Sequence, residues 1–127
     1  MLIGLFVISA CRSLPFQPAE KSLKQRIAGM MTARENQDWA KVYKFLDPDY
    51  KKQVSKQGFL GINRNIEYKD FTIESVEFDP SGKKATAQVK YDMTVQSFDV
   101  KDHRETLEWV KSGGSWYFKM PTGSVMD

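Results

Sequence analysis

Ala85-Thr86-Ala87-Gln88-Val89-Lys90-Tyr91-Asp92-Met93-Thr94-Val95 alternates apolar with polar or small side chains at every step. That period of two puts Ala85, Ala87, Val89, Tyr91, Met93 and Val95 on one face of a strand. The run is about twice the usual strand length, so the strand is expected to bend. Upstream, Phe71 and Ile73, then Val76 and Phe78, form a second alternating run whose phase slips at Glu74-Ser75. A one-residue slip of this kind predicts a β-bulge. Asp79-Pro80-Ser81-Gly82 between the two runs has the composition of a turn. Downstream, Leu107 and Trp109 mark a third strand, and Ser112-Gly113-Gly114-Ser115 reads as a hairpin loop. Trp116, Phe118 and Met120 mark a fourth strand.

The first half of the chain has a different period. Pro18 suits the first position of a helix and Glu20 suits the positive end of its dipole. Leu23, Ile27, Met30, Met31 and Arg34 follow at helical spacing, which predicts a helix from Pro18 to Arg34. Asp38 is placed to cap a second helix, with Trp39, Val42, Tyr43 and Leu46 on one stripe. Asp47-Pro48-Asp49-Tyr50 supplies a cap, a first-turn proline and a first-turn acid for a third helix, expected to carry Tyr50 and Val54 and to stop at Gly58. Helices followed by antiparallel hairpins predict an α+β domain, with the helices packed on one face of a curved sheet of about four strands.

Composition narrows the function. The 127 residues are 41% apolar and 13% aromatic, enough for one domain with a real core. A single Cys excludes an intramolecular disulfide framework, and a single His excludes a multi-histidine metal site. No Gly-rich phosphate loop, Ser/His/Asp arrangement or metal-ligand cluster can be assembled, so no metal and no cofactor are expected. His103, in Asp102-His103-Arg104, reads as part of a charged segment ahead of a strand. The net charge of +3 is too small to suggest nucleic acid. It is uneven, however: residues 12–60 hold ten Lys and Arg against five Asp and Glu, whereas residues 61–127 hold nine against eleven. Lys51, Lys52 and Lys56, read as sharing the third helix, are expected to be a solvated face, with anionic headgroups or an acidic partner as the functional alternative.

The order of three capped helices and long hairpins, closing in Gly113-Gly114-Ser115-Trp116-Tyr117-Phe118, resembles the nuclear transport factor 2-like superfamily over residues 19–120. That resemblance implies a cone-shaped domain with an interior pocket between helices and sheet. Trp39, Tyr43, Tyr91, Met93, Trp109 and Phe118 are the residues expected to face it. It also implies a choice between a non-enzymatic binding domain and an isomerase or dehydratase of the ketosteroid-isomerase kind. Such chemistry requires a carboxylate and an oxyanion donor in reach of one substrate. Tyr43 or Tyr91 could donate, but Asp92 lies on the outward phase. Glu105, in phase with Leu107 and Trp109, is the one candidate acid, expected near its strand's start. The expectation is therefore a non-enzymatic domain.

Leu2-Ile3-Gly4-Leu5-Phe6-Val7-Ile8 is too short to span a membrane and has the length of a signal-peptide apolar region. Ile8-Ser9-Ala10-Cys11 at its end resembles the lipobox of bacterial lipoproteins. The resemblance implies a signal peptide over residues 1–10, truncated at its start because no Lys or Arg precedes Leu2, and a lipid on Cys11. Residues 11–18 then carry the lipid and a proline-containing tether of roughly 20 Å at ~3.3 Å per residue, ahead of a domain over 19–127. Lipidation would also account for an unpaired thiol in an exported chain. Arg12, where the family's inner-membrane proteins have Asp, implies the outer membrane. The expected role is an envelope domain binding a small apolar ligand or a protein partner, with homodimerisation through the sheet face as a third reading.

Overall fold

The computed structural model describes residues 18–121, so Cys11, the signal segment and the tether up to residue 17 lie outside the described residues, and Pro18, expected to end the tether, opens the first helix. Among the described residues four helices precede the strands: α1 (Pro18–Glu35), α2 (Trp39–Lys44), α3 (Pro48–Gln53) and α4 (Lys56–Leu60). Their starts are set by short polar side chains that accept from otherwise unpaired first-turn amides. Asp38 Oδ1 accepts from Lys41 N at 3.2 Å, Asp47 Oδ1 from Tyr50 N at 2.9 Å and Ser55 Oγ from Gly58 N at 3.0 Å. The Ser55 cap corrects the expected third helix. That helix ends at Gln53, Val54 turns extended, and α4 begins afresh, so Lys56 is not on the helix that carries Lys51 and Lys52.

Strands β1 (Ile66–Phe78), β2 (Lys84–Val95), β3 (Phe98–Ser112) and β4 (Ser115–Phe118) form one antiparallel sheet in sequence order. The slip near Glu74 is present, as a register shift between Ile73 and Ser75. A second lies between Lys69 and Thr72, where Asp70 takes a φ of 57°. The bulged Phe71 N–H does not go unpaired, because Glu35 Oε2 on α1 accepts it at 3.2 Å. β3 begins well before the expected position, which puts His103 and Glu105 inside it rather than ahead of it or at its start. The edge of β4 is closed by the chain between α2 and α3: Phe118 N donates to Phe45 O at 2.7 Å and Asp47 N donates to Phe118 O at 2.9 Å.

The core lies between α1 and the sheet. Leu23, Ile27, Met30 and Met31 of α1 meet Ala87, Val89, Leu107, Trp109 and Phe118, all at 0–1% exposure. Gly29 lets α2 approach, since a Cβ there would stand 2.8 Å from Phe45 Cζ. The opposite phase of β2 and β3 carries Thr86, Gln88, Lys90, Arg104, Thr106 and Glu108, none of them buried. Thr106 Oγ1 donates to Gln88 Oε1 at 2.9 Å, and Arg104 Nε meets Glu74 Oε1 at 3.1 Å. The face available for sheet-to-sheet dimerisation is therefore polar.

Candidate functional site

α1 brings a cation into the core. Arg34 continues the stripe of Leu23, Ile27, Met30 and Met31, and only 1% of it is exposed. A guanidinium taken from water needs a counter-charge. Glu105 on β3 provides it, with Arg34 Nη1 to Glu105 Oε1 at 3.0 Å. Tyr91, across the β2–β3 ladder, donates its hydroxyl to the same oxygen at 2.7 Å. The Arg34 guanidinium also lies 5.3 Å from the Tyr68 ring centroid and 5.6 Å from that of Phe118, and its Nη1 donates to Met31 Sδ at 3.7 Å. Arg34 Nε is buried without a hydrogen-bond partner among the described residues. His103, half-buried, tilts against Tyr91 at 5.4 Å.

Burial and charge oppose one another at Arg34 and reinforce one another at Tyr91. Burial alone would lower the Arg34 pKa, but the Glu105 carboxylate, with Tyr68 and Tyr91, outweighs it and the net direction is upward. Burial raises the Tyr91 phenol, and the neighbouring Glu105 charge and the hydrogen bond to it raise it further. Tyr68 is raised chiefly by burial. Tyr91 is thus a neutral phenol whose one proton is given to Glu105, and Glu105 Oε1 is already occupied twice. Chemically the cluster is a hydrogen-bonded ion pair, buried on the Arg34 side and partly exposed on the Glu105 side. Asp92 is on the outward phase, as its place in the alternation requires. It accepts from Asp102 N at 2.9 Å and meets Lys101 Nζ at 3.5 Å, and these interactions lower its pKa.

The six residues read as pocket-lining belong to one packed core, Tyr91, Trp109 and Phe118 within it and Trp39, Tyr43 and Met93 against it. Trp109 and Phe118 are packed together in the core, ring centroids 5.7 Å apart. Tyr91 stands 5.2 Å from Tyr68, which Met93 faces across the ladder and Trp39 meets edge-on at 6.2 Å. Tyr43 packs on Phe59 at 5.5 Å and donates its hydroxyl to Val54 O at 2.7 Å. Surface clefts among the described residues include one of about 290 Å³ and one of about 350 Å³. The first includes Trp109 and the second, ringed by Gln37, Asn65, Glu67, Gln96 and Ser97, includes none of the six.

Sequence reasoning placed Arg34 on the apolar stripe without recognising its role. A cation recurring at a core position was the available signal, since it requires a buried acid, and Glu105 is the one acid on the inward phase of the last three strands.

No family model and no curated protein matches the sequence. Among solved structures, a SEC-C motif containing protein from Psychrobacter arcticus superposes with a TM-score of 0.62 at 16% identity. The match covers 81% of this chain and 61% of that one, so this chain spans less than two thirds of that protein's length. A SEC-C motif containing protein from Rhodopseudomonas palustris superposes with a TM-score of 0.54 at 14% identity, over 70% of this chain and 68% of its own. Likeness at these identities is one of fold: α+β, with helices on an open four-stranded antiparallel sheet.

Proposed function

We propose that this is a nuclear transport factor 2-like domain on an exported, lipid-anchored chain, and that it serves, without catalysis, to hold a protein partner in the cell envelope. The observation that carries the non-enzymatic reading is the double occupation of Glu105 Oε1 by Arg34 and Tyr91. An isomerase would need the acid free to take a substrate proton and the phenol aimed at the developing oxyanion. Here each is committed to the other. A partner is favoured over a small apolar ligand because Trp109 and Phe118, which would line an interior pocket, are 0% and 1% exposed. Helices gathered on one face of long, bulged strands support the nuclear transport factor 2-like assignment.

The anchor reading rests on Ile8-Ser9-Ala10-Cys11 closing the one long apolar run, with Arg12 favouring the outer membrane, facing the periplasm. The tether would enter at Pro18. From there α1 extends about 27 Å over its 18 residues, at 1.5 Å per residue. Just past its far end, Gln37 shares a cleft with Gln96 and Ser97 of the β2–β3 hairpin. Phe98, 75% exposed, stands beside that hairpin tip, and it is the surface aromatic we assign to the partner contact. Two experiments test the reading. Cys11→Ser, expressed with a full signal, is expected to move the protein from membranes to the soluble fraction; an unmodified Cys11 in the intact mass would overturn the anchor. A photo-crosslinker at position 98 is expected to capture an envelope protein that the same group at exposed Glu77 does not.

A further inference from the structure

Arg26 and Lys51 come from distant parts of the sequence and rest on one aromatic ring. The Arg26 guanidinium is 5.2 Å and the Lys51 ammonium 5.3 Å from the Tyr117 ring centroid. Each is held in place by further contacts. Arg26 Nε donates to Trp116 O at 2.8 Å, and its guanidinium covers the Phe45 ring at 4.5 Å. Lys51 Nζ reaches Lys44 O at 3.5 Å and lies 5.8 Å from the Tyr43 ring. Both are partly buried.

What this pair lacks is an anion. Among the described residues, no carboxylate comes within ion-pair distance of either cation. Asp47, the acid that draws on Lys51 at longer range, gives Oδ1 to the cap of α3. Like charges held together on a protein surface are unfavourable unless something offsets them. The ring faces of Tyr117, Phe45 and Tyr43 offset part of this. Burial and the nearness of Arg26 still lower the Lys51 pKa. After the contacts above, the two Nη groups of Arg26, the remaining Nζ protons of Lys51 and the Tyr117 hydroxyl are left as donors. A planar fork, an ammonium and a hydroxyl suit an oxyanion with several acceptor oxygens.

We infer that Arg26, Lys51 and Tyr117 form a binding site for a phosphoryl group, carried by a lipid headgroup or by a soluble phosphate. The site goes beyond the proposed function and does not depend on the lipid anchor, so the two can fail separately.

The test uses the full chain carrying Cys11→Ser, labelled for NMR and titrated with inorganic phosphate, with sodium chloride at matched ionic strength as reference. Saturable shifts at the Arg26 Nε–H and the Tyr117 amide are expected. Lys51→Gln is expected to weaken the phosphate affinity by about tenfold, the usual effect of losing one charged hydrogen bond, while Lys52→Gln, one residue away and exposed, should leave it unchanged. Because Arg26 also braces β4, its variant is Arg26→Lys, which keeps the charge and should also weaken binding. Phosphate shifts that chloride reproduces, or equal losses from Lys51→Gln and Lys52→Gln, would overturn the site. Vesicle arms then separate the sources. Co-sedimentation with phosphatidylglycerol but not phosphatidylcholine, lost in Lys51→Gln, identifies a headgroup. Saturable phosphate binding without such co-sedimentation identifies a soluble phosphate.

Discussion

Glu105 and Arg34 show how one side chain constrains another across the core. Breaking a buried pair strands the partner's charge, which usually costs 3–5 kcal/mol, and the 27% exposure of the Glu105 side chain moderates this. Glu105→Gln is therefore expected to lower stability by about 2–3 kcal/mol, read from urea midpoints. Adding Arg34→Met in that background should recover part of the loss, because the uncompensated cation goes with it. Tyr91 gives a pH signature. A phenol whose pKa rises on folding keeps its proton in the native state while the unfolded chain loses it. Its contribution is complete below pH 10 and declines as the pH climbs above it, by up to ~1.4 kcal/mol per unit for each such phenol. Tyr91 and Tyr68 both move upward, so urea midpoints should fall between pH 10 and 11. Tyr91→Phe should make that fall shallower, and an unchanged slope would contradict the assignment.

Among the elements, the β2–β3 hairpin has the least suitable residues for its conformation. Val95 pairs with Phe98, so Gln96 and Ser97 form a two-residue loop, and their φ values are 49° and 78°. Both central positions in the left-handed region mark a type I′ turn, which favours Asn-Gly. Replacing Gln96-Ser97 by Asn-Gly is expected to raise the thermal midpoint, corresponding to about 1 kcal/mol. Gln37, at φ 56°, closes α1 in a similar way. Asp38 N bonds Ala33 O and Gln37 N bonds Arg34 O, a Schellman closure where glycine is usual. At Gly29, helix propensity and packing oppose each other. Alanine would gain up to about 1 kcal/mol as a helix former. Its Cβ would also drive into Phe45, whose ring is pinned beneath Arg26. Overpacking typically costs 1–3 kcal/mol, so Gly29→Ala is expected to destabilise, measured by the urea midpoint.

At the scale of the molecule, α1 is the element that joins the others. Its apolar stripe shares one core cluster with inward residues of β2, β3 and β4, and it pairs Arg34 with Glu105, holds β4 through Arg26 and takes up the bulged amide of β1 through Glu35. Trp109, at 0% exposure, lies in the centre of that packing. Trp109→Ala should cost roughly 3–5 kcal/mol in chemical denaturation, the range for a buried large aromatic. A loss below about 1 kcal/mol would mean that β3 does not face α1 in this phase.

The alternation from Ala85 to Val95, the slip at Glu74, the Gly113-Gly114 hairpin and the caps at Asp38 and Asp47 were legible because each is local. A period of two, a phase change or a capping side chain acts within a few residues of its own amides. The break at Ser55 was missed because Lys51 to Gly58 carries no apolar period strong enough to expose it. The early start of β3 was missed because Phe98 to Arg104 is mostly polar and becomes a strand by pairing with β2. The relations that define the candidate sites are not local. Arg34 meets Glu105 across 71 positions and Arg26 reaches Trp116 across 90. The sequence by itself determined the inward phase of β2, of Leu107 to Phe118 and of the α1 stripe. It did not mark the buried Phe59 and Tyr68, which the helices and the start of β1 bring into the core. Only the tertiary structure decided which buried charges meet and which cations are left without an anion, because those energies depend on distances set by packing between elements.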